Sequence, residues 1–316
     1  MKIQHGIAGH EPPLHAIVTE GTFDGVHLGH QKILAKLVAD AQQARSTNPY
    51  AESVVVTFWP HPRLALFPDK KDLKLLTTLE EKTEILAAMG VDRLVVLPFD
   101  KSLSNLSPEE YVQKILITGL NTRKLIIGYD HRFGKNRAGD FQFLKAHENR
   151  FGFVVEEIPR QDVENIGVSS SRIRQALLQG DVETAAKYLG KYYSLSGSVT
   201  HGDKIGRTLG FPTANLHVSE SYKLIPKDGI YAVRVTLRKQ IYGGMLYIGV
   251  RSTLGNQLKR TVEVNIFNFY DEIYGETLRV ELIAYLRGEE TFDGLESMKL
   301  QLERDRETAL KVLQRI

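Results

Sequence analysis

The sequence predicts an α/β domain with a parallel sheet, followed by an antiparallel β domain that ends in a helix. Two observations predict this order. Up to residue 180, short apolar runs alternate with segments of helical spacing, whereas beyond residue 190 strand-like runs follow one another with only polar or glycine-rich turns between them. A chain of 316 residues is long enough for each domain to bury its own core. We therefore predict two domains, residues 1–186 and 187–316.

In the first domain, each strand is predicted from a short apolar or β-branched run and each helix from apolar residues three or four positions apart. The predicted strands are residues 14–19, 53–58, 94–97, 124–127 and 153–158, and the predicted helices are residues 31–41, 79–89, 108–116 and 141–149. Strands that alternate with helices form a parallel sheet covered on both faces. Ligands of such sheets bind where the strands end, at their carboxyl edge.

The second domain is predicted from strand-like runs that no helix interrupts, at residues 193–199, 230–237, 244–250, 262–269 and 277–284. An antiparallel barrel or sandwich would hide the edges of these strands. A short helix at residues 182–189 precedes them and could belong to either domain. In the tail, Asp293 and Glu296 have capping-box spacing, and a helix is predicted from apolar residues along one side, Leu295, Met298, Leu302, Ala309 and Leu313.

Composition and charge narrow the classes of function. With 42% hydrophobic and 25% charged residues the chain has the composition of a soluble globular protein, and its formal charge of +3 is too small to predict nucleic-acid binding. The absence of cysteine excludes disulfides and thiolate catalysis and fits a reducing compartment, so we expect a cytoplasmic protein. Residues 1–15 lack the pattern of a signal peptide and no apolar run reaches membrane-spanning length, so no membrane partner is expected.

Residues 22–30 read Thr-Phe-Asp-Gly-Val-His-Leu-Gly-His and connect the first predicted strand to the first predicted helix. Gly25 and Gly29 let the backbone approach a ligand, and the free N–H groups at the start of the helix attract anions. His27 and His30 can add hydrogen bonds to phosphoryl oxygens. The pattern predicts a phosphate-binding site. A zinc site that also uses His61, or a glycine-rich connection with incidental histidines, are the alternatives.

Three further segments carry polar groups near strand or helix ends. Residues 168–174, Val-Ser-Ser-Ser-Arg-Ile-Arg, place hydroxyls at a helix start, where they bind an anion or where one serine simply caps the helix. Residues 128–140 gather cations, an aromatic ring and glycines in one loop; their spacing excludes a Walker A motif and leaves a solvated basic loop as the alternative. Prolines flank His61 on both sides. They either hold the imidazole in one position or simply mark the end of the strand.

The second domain has its own candidate site. Residues 201–215 read His-Gly-Asp-Lys-Ile-Gly-Arg-Thr-Leu-Gly-Phe-Pro-Thr-Ala-Asn, which suits a loop that wraps phosphates, although a glycine-rich connection between strands has the same spacing. Thr213 and Asn215 offer oxygens two residues apart that suit a Mg²⁺ ion bridging nucleotide phosphates. Glu263 alternates with two valines on a predicted strand, so it points either into a site or into solvent.

Together these segments resemble the motifs of the bacterial bifunctional riboflavin kinase/FAD synthetases, in the same order along nearly the whole chain. The histidine turn is similar to the His-x-Gly-His motif of nucleotidylyltransferases, residues 168–174 to a Ser-Ser-Thr-x-Ile-Arg signature, and residues 128–135 to Gly-Tyr-Asp-Phe-Arg-Phe-Gly-Lys. Residues 212–215 and 263–267 resemble riboflavin kinase motifs. The resemblance implies a Rossmann-like nucleotidylyltransferase domain, then an antiparallel β-barrel kinase domain with a C-terminal helix.

The resemblance also implies roles for individual residues. His27 and His30 would stabilise the transition state of adenylyl transfer, and Glu263 would activate the ribityl 5′-hydroxyl of riboflavin. Thr213 and Asn215 would hold Mg²⁺. The residues implied in ATP or phosphate binding are Gly21, Phe23, Asp24, Gly25, Gly29, Ser170, Ser171, Arg174, Gly202, Lys204, Gly206 and Arg207, and those implied in flavin binding are His61, Asp130, Arg132, Phe133, Phe211 and Arg287.

The chain departs from the family pattern at four positions. Ser171 stands where threonine is usual and keeps the hydroxyl. Three further positions differ. His131 stands where phenylalanine is more usual, Asn265 where histidine is usual, and Ser252 where the family commonly has a proline. We expect a changed stacking contact at His131 and a looser turn, rather than lost chemistry, at Ser252.

The expected function is therefore bifunctional. Riboflavin is phosphorylated to FMN with ATP, and FMN is adenylylated to FAD with release of pyrophosphate. Both reactions are expected to use Mg²⁺ with ATP as co-substrate, and riboflavin, FMN and FAD are the expected ligands. The alternatives are an enzyme that keeps only one of the two activities and a flavin-binding sensor that does not consume ATP.

Overall fold

The computed structural model describes residues 1–66, 73–159, 162–163, 166–201, 210–252 and 258–315. The chain divides into two compact units, Met1–Val168 and Ser169–Ile316. The first contains a six-stranded parallel sheet and the second a closed six-stranded antiparallel barrel, so the predicted fold class is confirmed and the barrel is chosen over the sandwich. The functional boundary between residues 186 and 187 stays a prediction.

In the first unit, β2 lies in the interior of the parallel sheet, paired with β3 on one side and β5 on the other. The strands are β1 Lys2–His5, β2 His15–Glu20, β3 Ala51–Trp59, β4 Arg93–Pro98, β5 Thr122–Gly128 and β6 Val154–Ile158, in the order β1-β4-β3-β2-β5-β6. The chain adds β3 and β4 on one side of β2 and then returns to add β5 on the other. The topological switch point, where ligands of such sheets bind, therefore lies between β2 and β5.

Helices cover both faces of this sheet and bury an apolar core on each side. They are α1 Leu28–Ala44, α2 Pro62–Leu66, α3 Leu79–Ala88, α4 Lys101–Ser104, α5 Pro108–Tyr111 with its π-helical continuation Val112–Gly119, α6 Phe141–Ala146 and α7 Glu148–Phe151. The single helix predicted at residues 141–149 is wrong, because His147 has φ −114° and ψ 11° and interrupts it. A short antiparallel pair follows, β7 Asp162–Val163 with β8 Ile166–Gly167.

The second unit begins with two short helices and continues into the barrel. Its elements are α8 Ser170–Gln179, α9 Val182–Leu189, β9 Tyr193–Thr200, β10 Ala214–His217, β11 Gly229–Leu237, β12 Gln240–Ser252, β13 Leu258–Ile266, β14 Thr277–Arg287 and α10 Leu295–Leu313. The barrel order is β10-β13-β12-β11-β14-β9, with β9 also paired to β10, so closure leaves no open edge. Strand β10 escaped prediction because four residues after a proline carry too short a pattern.

Helix α10 packs against β11, β12 and β14, as predicted, but the predicted capping box is wrong. The helix begins after Gly294, which has no side chain to cap it, instead of after Asp293. An ion pair holds the helix to the barrel: Arg287 donates from Nε and Nη2 to the buried carboxylate of Asp305 at 2.7–3.1 Å. Within the described residues, no helix is long and apolar enough to cross a bilayer.

Two side chains hold the turn between β2 and α1: Asp24 of the turn itself and Lys82 of α3. The Asp24 carboxylate accepts hydrogen bonds from the N–H groups of Leu76 at 2.8 Å and Thr77 at 3.2 Å. Lys82, buried on α3, donates from Nζ to the carbonyl oxygen of Thr22 at 2.7 Å. Burial lowers the pKa of Lys82 to about 8, although the neighbouring Asp24 charge raises it.

Replacing Asp305 with alanine is expected to destabilise the second unit. Arg287 would keep its charge in a largely buried position without its partner, and the loss of one member of a buried ion pair costs about 3 kcal/mol or more. Urea titration followed by circular dichroism measures the effect. Glu303→Ala, an exposed carboxylate on the same helix, is the control and should change the free energy of unfolding by less than about 0.5 kcal/mol. Equal effects of the two variants would contradict the role given to this pair.

The buried Lys82 predicts a pH dependence of stability. Between pH 8 and 10.5 the unfolded chain binds more protons than the folded chain, because the lysine pKa falls from 10.5 to about 8 on folding. The free energy of unfolding therefore rises with pH in this window. Compared with Lys82→Met, the unmodified chain should gain about 2 kcal/mol between pH 7.5 and 9.5 in urea titrations. Lys101→Met, at an exposed position, should show no such difference; a pH-independent difference for Lys82→Met would refute the prediction.

Candidate active sites

His27 and His30 form one paired surface at the start of α1. His27 is the N-cap of the helix, with extended backbone, and its Nδ1 accepts the N–H of His30 at 3.4 Å. The two imidazole rings stack with centroids 3.7 Å apart and planes 16° from parallel. The free N–H groups and the positive dipole end of α1 lie at the same place. The predicted strand-to-helix turn is confirmed, although α1 begins three residues before the predicted start at Gln31.

The electrostatics of this pair suit an anion. Burial first, then the neighbouring His27 and Lys82, hold the pKa of His30 well below its usual range, so His30 is neutral at physiological pH. Its Nδ1 is buried and has no hydrogen-bond partner within the described protein atoms. An arriving phosphate would supply the negative charge that favours protonation of the ring. In the described part of the chain, no group of three or more His, Asp or Glu side chains could hold a metal ion, so nothing there supports the zinc alternative.

The other predicted nucleotide residues of this turn give it its shape. Phe23 and Gly25 have positive φ, at 47° and 83°. The buried Phe23 ring packs edge-on against His30 at 5.1 Å, and a Cβ on Gly21 would lie 3.3 Å from the Phe23 ring. Asp24 is buried and binds the amides described above, whereas Gly29 lies in the first turn of α1. The side chains of Phe23 and Asp24 therefore fix the backbone of this turn, which is predicted to bind ATP. The imidazoles of His27 and His30 are the side chains predicted to contact its phosphates.

The end of β3 and the loop after β5 lie at the same edge of the sheet as this turn. His61 is buried after β3, and its Nδ1 accepts the N–H of Arg63 at 3.2 Å. In the loop after β5, Asp130 and Arg132 are exposed and available to a ligand. Phe133 is buried instead, with its ring 5.6 Å from that of Tyr111, so this predicted flavin residue packs the core under the loop.

Sequence reasoning missed two buried ionisable residues at this edge, Lys82 and Glu20. Glu20 ends β2, and its carboxylate bonds to His131 and to the hydroxyl of Tyr111. Lys82 has the pattern of an ordinary surface lysine on an amphipathic helix. The only signal for Glu20 was a carboxylate at the end of a strand that is otherwise buried.

Of residues 168–174, Val168 ends the first compact unit, whereas Ser169 and the residues after it form the N-cap and first turns of α8 in the second unit. Ser169 is the N-cap, and its Oγ accepts the N–H of Arg172 at 3.4 Å. Ser170 and Ser171 are the first two helical residues, and Arg174 follows one turn later, partly buried. Capping is therefore performed by Ser169 and not by either of the two predicted serines.

Glu263 is the centre of the candidate kinase site. Glu263 is only 5% exposed, which excludes the alternative that its side chain points into solvent. The register pairs Glu263 with Asn215 on β10 and with Tyr247 on β12, so these residues share a face of the barrel. Thr213 Oγ1 lies 3.1 Å from Glu263 Oε2 and donates to it. The hydroxyl oxygen of Thr213 therefore keeps its lone pairs for a cation, and a carboxylate, a hydroxyl and an amide meet at one place.

Asn265, the departure from the family pattern, has a contact of its own. Its Nδ2 donates to the carbonyl oxygen of Pro212 at 2.8 Å and so fixes the segment that carries Thr213. Phe211 is buried, and Arg287 is engaged with Asp305 on α10, so its guanidinium binds the helix. Four predicted residues of this site lie outside the described residues: Gly202, Lys204, Gly206 and Arg207. The side chain of Ser252 also lies outside the part that the structure describes.

Comparisons with known proteins cover both units. Residues 10–172 match the family model of FAD synthetase, and residues 189–313 match that of riboflavin kinase. A bifunctional riboflavin kinase/FMN adenylyltransferase of Listeria monocytogenes is 38% identical over 293 residues, which cover 92% of this chain and 90% of the relative. The protein of the same description from Bacillus subtilis is 36% identical over 300 residues, covering 94% and 92%.

A solved structure has the same fold along the whole chain. The crystal structure of a protein described as a macrolide-efflux protein, from Streptococcus pneumoniae, is 32% identical, covers 98% of this chain and 99% of its own, and superposes with a TM-score of 0.87. The description as an efflux protein applies to that protein, and we do not extend it to this chain. Family models for both units, and relatives above 30% identity over nearly the full length, show that this chain belongs to the bifunctional riboflavin kinase/FMN adenylyltransferase family.

Proposed function

We propose that the chain performs its two reactions at two separate sites, adenylyl transfer at the turn between β2 and α1 and phosphoryl transfer around Glu263. The activities follow from the family: the chain is an enzyme of flavin cofactor biosynthesis that phosphorylates riboflavin to FMN and adenylylates FMN to FAD. The observation that carries the assignment is the contrast between a stacked imidazole pair at a helix start and a buried carboxylate on a barrel strand.

In adenylyl transfer, the phosphate of FMN attacks the α-phosphorus of ATP and pyrophosphate leaves. His27 and His30 donate hydrogen bonds to phosphoryl oxygens whose charge grows in the transition state, and the start of α1 adds its N–H groups. The turn is held rigid by Asp24 and Lys82, which keeps these donors in place. No covalent intermediate is needed.

In phosphoryl transfer, Glu263 accepts the proton of the ribityl 5′-hydroxyl while that oxygen attacks the γ-phosphorus of ATP, the bond from the γ-phosphorus to the bridging oxygen breaks and ADP leaves. Thr213 orients the carboxylate by donating to it. The donor set fits Mg²⁺, which prefers oxygen ligands and keeps several waters, and Thr213 and Asn215 are the residues that would hold it. When bound with ATP, the ion would neutralise charge on the transferred phosphoryl group.

We assign adenylyl transfer to residues 1–186 and phosphoryl transfer to residues 187–316, a division that the ends of the two family models support. Exposed Asp130 and Arg132 are the side chains of the loop after β5 that would meet FMN, with the guanidinium suited to its phosphate. We place both reactions in the cytoplasm, because both consume ATP.

A flavin-binding sensor is the competing function. It would bind FMN with no ATP consumption, and it gives no reason for a buried carboxylate on a barrel strand that accepts a threonine hydroxyl. Chromatographic separation of the flavins after incubation with riboflavin, ATP and Mg²⁺ distinguishes the two functions. FMN and then FAD should appear, whereas a sensor would leave riboflavin unchanged and an enzyme with one activity would stop at one product.

Replacing Glu263 with glutamine should lower the rate of FMN formation by about 10²-fold or more, because a general base contributes about that much. FAD formation from supplied FMN should stay unchanged. Glu281→Gln, a partly buried carboxylate on β14 that pairs with Arg234, is the matched control and should keep both activities. Flavin chromatography with each substrate measures the rates. Retention of FMN formation in Glu263→Gln would remove Glu263 from the reaction.

Replacing both His27 and His30 with alanine should have the opposite effect. FAD formation should fall by about 10²-fold or more, since two donors to the developing charge are lost, while FMN formation should persist. His15→Ala, at the other end of β2, is the control and should form FAD normally. If the double variant lost both activities while remaining folded, the assignment to two sites would be wrong.

A further inference from the structure

The carboxylate of Glu20 is a buried charge that the mechanism above does not use. Its side chain is 1% exposed, at the switch point between β2 and β5. One oxygen is bonded to His131 Nε2 at 2.7 Å, and the other accepts the hydroxyl of Tyr111. Burial, then the Glu20 charge, holds the pKa of Tyr111 well above its usual range, so that hydroxyl keeps its proton and donates it. Both carboxylate oxygens are therefore satisfied.

The bond to His131 joins the two segments that serve the adenylyl transfer site. Glu20 immediately precedes Gly21, where the nucleotide turn begins. His131 lies between Asp130 and Arg132, two of the exposed side chains of the loop after β5. The ring of His131 also lies nearly parallel to that of buried Phe133, at 5.7 Å and 22°. The loop is thus fixed at one residue by a hydrogen bond and a ring contact.

The phenylalanine that is more usual at position 131 cannot make this bond, because it has no donor. Beside a phenylalanine, one oxygen of Glu20 would be buried without a partner, which is unfavourable because that oxygen would lose its contact with water and gain no hydrogen bond in exchange. Glu20 and His131 therefore act as a pair, and removal of either leaves the other unsatisfied. Such a pair gives little net stability compared with apolar residues of the same size, but it fixes geometry.

We propose that Glu20 and His131 are positioning residues for FMN in the adenylyl transfer reaction. Their bond holds the loop after β5 so that Asp130 and Arg132 meet FMN in one orientation, next to the turn that binds ATP. The inference rests on the proposed function and deepens it, since it explains how this chain orders its flavin loop. The proposed role concerns the binding of FMN, so the Glu20–His131 pair is not expected to act directly on ATP binding.

The test measures KM for FMN and for ATP separately in adenylyl transfer. His131→Phe keeps a ring but removes the donor, and should raise KM for FMN about tenfold while KM for ATP stays within about twofold. His131→Gln keeps an N–H that reaches Glu20 and should stay within about threefold of the unmodified chain. In a Glu20→Gln background, His131→Phe should add less than about twofold, because the two residues act together. Riboflavin phosphorylation should be unchanged in every variant.

The opposite results are equally clear. Equal rises in KM for FMN and ATP, or multiplying effects of Glu20→Gln and His131→Phe, would overturn the proposal. Circular dichroism checks the fold; if His131→Phe does not fold, the same comparison of KM values is made on Glu20→Gln, which removes the charge without changing shape. An unmodified chain that forms no FAD from FMN would refute the proposed function as well, whereas an active chain with an unaffected His131→Phe variant would refute only the role of this pair.

Discussion

The pairing of β2 with β3 on one side and β5 on the other is the constraint on which the first site depends. Parallel strands end at the same edge, so this register brings together the histidine turn, the segment with His61 and the loop after β5. Polar groups buried at this edge have partners on other elements: Asp24 binds two amides, Lys82 a carbonyl, and Glu20 a histidine and a tyrosine. The sheet thus sets the position of the loops, and these bonds set their shape.

In the barrel, strand register again sets the positions of the candidate site residues. Register places Glu263 beside Asn215, and the loop before β10 brings Thr213 to the carboxylate. A strand in a closed barrel is a rigid support, which a base needs if it is to meet a single hydroxyl. Asn265 shows how a departure from the family pattern can be accommodated, since its amide now fixes the backbone next to Thr213. In the proposed mechanism, the first site handles phosphate charge, and the second must also move a proton.

Charge burial distinguishes the nucleotide turn from an ordinary glycine-rich connection. A lysine is held beneath it with a lowered pKa, and the nearby His30 is kept neutral by burial and by the positive charges around it. Each of these groups is disfavoured in its charged form until negative charge arrives. An anionic ligand would favour the charged form of both groups, so the electrostatics of this turn suit phosphate.

The sequence by itself determined what depends on local pattern: the alternation of strands and helices, the strand-to-helix turn with its histidines, and the Pro-Thr-Ala-Asn segment. It was wrong where a local pattern had a competitor, as at the start of α10, where Gly294 takes the cap in place of Asp293. Only the tertiary structure decided that Glu263, Glu20 and Lys82 are buried and partnered. Their partners lie 25 to 111 residues away in the chain, and burial is a property of packing that no short run of residues encodes.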